Sequence, residues 1–139
     1  MLSYGNEPDT RRTQPIVVLV EHDRHVRDLV GLFLTRAGFQ VELADTGYIA
    51  LDRVRRLGRA IIVTEILVPE LDGLALCRLL KQDAALQTGV VVLSMLSAAE
   101  RAARAGADAF LLKPINEELL VSTLNDIAAG LNSESRATT

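Results

Sequence analysis

Ala60-Ile61-Ile62-Val63-Thr64-Glu65-Ile66-Leu67-Val68-Pro69-Glu70-Leu71-Asp72-Gly73 is the stretch that decides the fold. Its first half is a continuous apolar, largely β-branched run, without the alternation of a strand wetted on one side. Such a run predicts a strand covered on both faces, over residues 60–64. The run closes on a carboxylate, Glu65, and the chain then meets Pro69 and an Asp-Gly pair, both turn signals. A buried strand that delivers an acid to its carboxyl end predicts a site at that edge.

The same grammar repeats on either side. Residues 16–20, Ile-Val-Val-Leu-Val, read as a strand, and Val26, Leu29, Val30, Phe33 and Ala37 follow at helical spacing up to Gly38. Residues 39–44 read as a second strand. Thr46 is placed to cap a helix with Ala50, Leu51, Val54 and Leu57 inward, stopped by Gly58. A third helix is predicted over 74–83 and a fourth strand over 90–94. Ser97-Ala98-Ala99-Glu100 reads as a capping box opening a short Ala-rich helix that ends at Gly106. Residues 109–112 read as a fifth strand. Asn116 is placed to cap a last helix carrying Leu120, Leu124, Ile127 and Leu131 on one face.

Strands alternating with helices predict an α/β fold: a doubly wound, five-stranded parallel sheet with helices on both faces. Right-handed crossovers favour the flavodoxin-like order 2-1-3-4-5. In such a sheet ligands gather beyond the carboxyl ends of the strands, where the strand order reverses. Glu21-His22-Asp23, Glu65, Ser94, and Phe110 to Lys113 before Pro114 are therefore expected to border one cleft. Residues 1–14 read as a flexible tail, 15–131 as the folded unit, and 132–139 as a flexible tail or linker.

Composition excludes several function classes. With 139 residues, 49% of them apolar, the chain holds enough for one good core. No apolar run approaches the ~18 residues a membrane helix needs. The N-terminus lacks a basic segment followed by an apolar one, so no secretory signal is expected. Cys77 is the lone cysteine, which excludes an internal disulfide and fits a reducing, cytoplasmic setting; on its leucine-rich helix it reads as a small buried hydrophobe. A net charge of -3 gives no electrostatic case for nucleic acid, and Arg53, Arg55, Arg56 and Arg59 read as the solvated side of a helix.

The motifs Val20-Glu21-His22-Asp23, Glu65-Ile66-Leu67-Val68-Pro69, Asp72-Gly73, Ser94, Gly106-Ala107-Asp108-Ala109-Phe110 and Lys113-Pro114, in this order on these elements, resemble a response-regulator receiver domain over residues 16–131. The resemblance implies the CheY-like fold and a role in two-component signal transduction. It also implies a chemistry. Two adjacent acids after strand one and an aspartate after strand three bind Mg²⁺ through oxygen, and the aspartate accepts a phosphoryl group. A lysine pairs with the phosphate, a Ser or Thr after strand four hydrogen-bonds to it, and an aromatic on strand five changes rotamer. Lys113, Ser94 and Phe110 match those three roles, although Phe110 also reads as plain core.

The departures define an atypical member lacking the phosphoacceptor aspartate. Glu65 stands at the acceptor position and His22 at the second acid, with Glu21 at the first. Imidazole is a poor Mg²⁺ ligand. Glutamate carries its carboxylate ~1.5 Å further out than aspartate, whereas in-line attack needs atoms within ~3–3.5 Å. Mg²⁺ binding is expected to be weak or lost, no other cofactor, no enzymatic activity and no aspartate phosphorylation are expected, and Glu65 is expected to pair with Lys113. Met95 follows Ser94 where a small residue is usual, and the segment from Ser94 to Gly106 is about three residues short of the family pattern.

The resulting expectation is a signalling module that works by protein–protein contact. Its partner would be a histidine kinase or effector, bound through helix 4, strand 5 and helix 5, with a homodimer as one possible arrangement. The alternative is a receiver in which another ligand or metal occupies the altered pocket. Zn²⁺ at His22 and His25, a pH-sensing contact of His22 with Glu65 or Asp23, and Thr64 as a substitute acceptor are lesser readings. Asp23 reads equally as a helix N-cap.

Overall fold

The computed structural model describes residues 14–137. The chain forms β1 (Ile16–Val20), α1 (Arg24–Arg36), β2 (Val41–Ala44), α2 (Gly47–Leu57), β3 (Arg59–Glu65), α3 (Gly73–Gln82), β4 (Gln87–Ser94), α4 (Ala99–Arg104), β5 (Ala109–Leu112) and α5 (Glu117–Ala137). All strands are parallel, in the order β2-β1-β3-β4-β5, as expected.

The period of two inside each apolar run splits the core into two layers. Val18, Val20, Ala60, Ile62, Val90 and Val92 face α2, α3 and α4. Their neighbours Val17, Leu19, Ile61, Val63, Val91 and Leu93 face α1 and α5, where Val30, Leu34, Leu120 and Leu124 close the layer. A run that must be apolar on both sides leaves no place for a charge until the strand ends, which is where Glu65 stands.

Helix starts follow local hydrogen bonding. Asp23 caps α1 through the N–H groups of His25 and Val26, Thr46 caps α2 through Ile49, and Asp72 caps α3 through Leu74 and Ala75. Asp23 thus takes the N-cap reading.

Four expectations are corrected. Ser97 does not cap α4. The helix starts at Ala99 after Ala98, which makes no side-chain cap bond; the Ala98 methyl is buried, which draws the turn inward. β2 opens at Val41, because the chain is still closing α1 at Phe39. Gly38, at φ 95°, lets Phe39 donate its N–H to the Leu34 carbonyl, and Phe39 is buried. Arg59 lies beyond the left-handed Gly58 cap and opens β3; its guanidinium bonds Asn132. Arg53 tops the outward carbonyl of Leu43 at 2.6 Å on the edge strand, so the arginines do not form one solvated face. Finally, α5 runs to Ala137, past the expected end at Leu131. No Gly or Pro interrupts residues 131–137, and Arg59 holds Asn132. The N-terminal tail expected over 1–14 falls outside the described residues except for Gln14.

The loop from Ile66 to Asp72 is braced on both sides. Gly47 donates its N–H to the Pro69 carbonyl, Gly73 donates to Ile66, and Glu70 adopts a left-handed φ of 72°. A Cβ on Gly73 would run into the backbone carbonyl of Glu65. Backbone cannot swing aside as a side-chain tip can, so Gly73→Ala is expected to cost ~1–3 kcal/mol. Urea denaturation checks this; an unchanged midpoint would show that the loop yields freely.

Cys77 packs in the α3 layer, and its thiol lies 3.3 Å from the Ala105 carbonyl. Burial pushes its pKa up to about 11. Native protein is therefore expected to react with an aromatic disulfide reagent only at the rate of its opening, and unfolded protein at once. Rapid native labelling would contradict the burial.

Candidate functional site

Parallel strands bring their carboxyl ends to one edge of the sheet. Glu65 is the last residue of β3, Glu21 follows β1, Ser94 ends β4, and Lys113 follows β5. Because β1 and β3 are neighbours, the two acids flank the same gap.

Lys113 fills that gap. Its Nζ lies 2.6 Å from Glu21 Oε1 and 2.6 Å from Glu65 Oε2. The remaining carboxylate oxygens are also used: Asp23 donates its N–H to Glu21 Oε2 at 3.1 Å, and Ile66 donates to Glu65 Oε1 at 2.7 Å. Every oxygen of the two acids therefore has a protein donor. Side-chain exposures of 11% for Lys113, 2% for Glu21 and 10% for Glu65 show that the cluster is withdrawn from solvent. Two carboxylates and one ammonium leave a net charge of one negative unit.

Burial alone would push the Lys113 ammonium down. The hydrogen bonds and charges of Glu21 and Glu65 outweigh it and hold its pKa above the ordinary lysine value. Asp23 is held below the usual carboxylate range, chiefly by the Val26 N–H, with a further contribution from His25.

The other expected residues surround this cluster unequally. Ser94 is buried; its hydroxyl accepts the Leu96 N–H at 3.1 Å, and its carbonyl accepts the Lys113 N–H at 2.9 Å. The Lys113–Pro114 peptide is cis. Phe110 is half-buried against the layer of α2, α3 and α4. Thr64 is fully buried and donates its hydroxyl to the Glu65 carbonyl at 2.9 Å, which removes it as a substitute acceptor. His22 and His25 are exposed, and the His22 ring makes no hydrogen bond or ion pair among the described residues, so the pH-sensing contact is absent. Met95, at 78% exposure, points outward and does not cover the cluster. Among the described residues, no group of three or more His, Cys, Asp and Glu side chains is arranged to hold a metal ion.

Strand ends predict the Glu65–Lys113 pair; sequence reasoning misses Glu21 as the second partner. Its signal was its place, one residue past β1, the strand adjoining β3.

Comparison with known proteins shows the family. The family model described as Response regulator receiver domain matches residues 17–125. Response regulator MprA of Mycobacterium leprae (strain TN) is 38% identical over 107 residues, 75% of this chain and 47% of that protein. Response regulator MprA of Mycobacterium bovis (strain BCG / Pasteur 1173P2) is 32% identical over 123 residues, 87% of this chain and 54% of that protein. The chain spans about half the length of the curated relatives it matches. Among solved structures, the receiver domain of a signal transduction histidine kinase from Syntrophus aciditrophicus has a TM-score of 0.75 and 31% identity, covering 84% of this chain and 91% of that one. The receiver domain of a putative Luxo repressor protein from Vibrio parahaemolyticus has a TM-score of 0.81 at 21% identity, covering 91% and 98%, a likeness of fold alone. Among the described residues, no helix is long and apolar enough to cross a membrane.

Proposed function

The chain belongs to the response-regulator receiver family, and from that premise we propose that it is an atypical two-component signalling module that acts by protein–protein contact without aspartate phosphorylation. One observation carries the reading: Lys113 bridges Glu21 and Glu65, and all four carboxylate oxygens already have protein donors.

A Mg²⁺ ion fits this donor set poorly. It demands near-octahedral oxygen ligation. Here the oxygens it would recruit are held by an ammonium and two backbone N–H groups, and the third family position offers the exposed imidazole of His22. We assign Glu65 as the acceptor equivalent, Glu21 and His22 as the acidic-pocket equivalents, and Ser94, Phe110 and Lys113 as the phosphate-contact and switch equivalents. In this reading the Glu65–Lys113 pair stands permanently where a phosphate would pair only on demand. One carboxylate supplies less charge and fewer acceptors than an acyl phosphate, so the module is an unswitched scaffold.

We assign the receiver unit to residues 15–131 and to the cytoplasm; α5 carries on beyond Leu131. A histidine kinase or effector is the partner class. The face formed by α4, β5 and α5 suits docking, with a homodimer through the same face as one form. Leu112 and Leu119 are both about half exposed there, and α4 is only six residues long.

Incubation with acetyl phosphate and Mg²⁺, followed by intact-mass measurement, is expected to give no phosphoryl adduct. An adduct mapped to Glu65 or a neighbour would overturn the reading.

A further inference from the structure

At the opposite, amino-terminal edge of the sheet lies a cavity of about 310 Å³ between α3, the start of β4 and the stretch of α5 from Ile127 to Leu131. That volume is at the lower end of small-molecule sites, roughly 300–1,000 Å³. Leu80, Leu86, Ile127 and Leu131 give it an apolar floor. Lys81 and Asp108 stand on its polar wall, 2.8 Å apart.

Both charges keep unused capacity. Of the three ammonium N–H groups of Lys81, one goes to the Thr88 carbonyl at 2.7 Å and one to Asp108 Oδ2. Asp108 Oδ2 also accepts the Val90 N–H at 2.8 Å, while Asp108 Oδ1 has no partner among the described residues. The Gln87 amide and Thr88 hydroxyl, on the same wall, have no side-chain partner among the described residues either. One spare cationic donor and one spare anionic acceptor thus stand side by side above aliphatic carbon. The Lys81–Asp108 pair is partly solvated, and such pairs hold weakly enough to open around a guest.

We propose that this cavity binds a small zwitterion with an aliphatic body, the chemistry of a free branched-chain amino acid. Its carboxylate meets Lys81, its ammonium meets Asp108 Oδ1, and its side chain lies on the leucine and isoleucine floor. The site is independent of the Glu21–Lys113–Glu65 cluster and does not rest on the reading given to that cluster.

The full chain labelled with ¹⁵N is titrated with L-leucine, with isocaproate and isoamylamine as analogues that each lack one charge. For so few ligand atoms the dissociation constant is expected in the millimolar range, ~1 mM. Shifts should concentrate at the amides of Gly89, Ile127 and Gly130, and each analogue should bind at least about tenfold more weakly. Two variants check the site. Lys81→Met should abolish the preference for leucine over isoamylamine. Gly130→Leu should fold normally and block binding, because a Cβ at Gly130 meets nothing within 4 Å and has room at the cavity wall. Absence of localised shifts up to ~20 mM leucine would overturn the proposal, since occupancy at that excess should exceed nine-tenths. So would equal binding of either analogue, or undiminished binding by a folded Gly130→Leu variant.

Discussion

Lys113→Met is expected to lower stability by ~3–5 kcal/mol, the cost of leaving buried charge without its partner. The substitution keeps an unbranched apolar stem out to Cε, with sulfur in place of Cδ, and removes the ammonium, so packing changes little. What remains is Glu21 and Glu65, two nearly buried carboxylates converging on an apolar methyl with nothing between them. Backbone N–H groups still hold one oxygen of each, which limits the loss but does not offset the repulsion. For a domain whose total stability is ~5–15 kcal/mol, the change is large. With a urea slope of ~1–3 kcal/mol per molar, the denaturation midpoint should fall by at least about one molar unit. The pH dependence provides a second reading. The folded-state pKa of Lys113 is raised, so the stability it contributes is fully present below the unfolded lysine value of ~10.4 and is lost as pH rises through the folded value. The gap between wild type and Lys113→Met should therefore be flat through neutral pH and close in the strongly alkaline range. A deficit under ~1 kcal/mol at pH 7, typical of an exposed pair, would show that the cluster is wetter and weaker than its geometry implies.

The layering of the fold was readable because burial on both faces leaves a physical trace. Ile61 and Ile62 face opposite helices, so both must be apolar, and the strand cannot be mistaken for a half-wet one. Once the strands are parallel, their ends must share an edge, and that alone placed Glu65 near Lys113. What escaped was decided by tertiary contact rather than by local preference. Ser97 has the right residue type for a cap, but the burial of Ala98 sets where α4 begins. Arg59 carries the same charge as its helical neighbours, and only the left-handed turn at Gly58 sends it into β3. The polar residues after Leu131 look like a tail, yet polarity does not stop a helix where no Gly or Pro follows, and Asn132 is held by Arg59 of β3. At the site, the ion pair could be foreseen from strand ends, but its bridging form could not. That form depends on Glu21 turning inward, fixed by an N–H from Asp23 that is itself positioned by capping α1.

The double substitution His22→Asp with Glu65→Asp is expected to gain phosphoryl labelling from acetyl phosphate and Mg²⁺, while each single substitution stays near background. Glu65→Asp draws the carboxylate back by ~1.5 Å, which breaks or lengthens its 2.6 Å contact with Lys113 and clears space for an incoming phosphoryl group. Alone it still lacks a metal site, because its neighbour His22 offers an exposed imidazole in place of an oxygen ligand. His22→Asp alone adds the oxygen ligand but leaves Glu65 bridged to Lys113 and its second oxygen held by Ile66. Only the pair supplies both a metal to offset charge and an acceptor at attacking distance. Metal assistance worth several kcal/mol corresponds to at least ~10²-fold in rate, so the gain should stand well clear of either single variant. Rates are read by intact mass over time, with circular dichroism confirming that each variant is folded. Labelling of Glu65→Asp at the rate of the double variant would show that His22 is no obstacle. A folded double variant that remains unlabelled would show that restoring these two positions is not sufficient for phosphoryl transfer, and would turn attention to the short α4 and the loop at Met95.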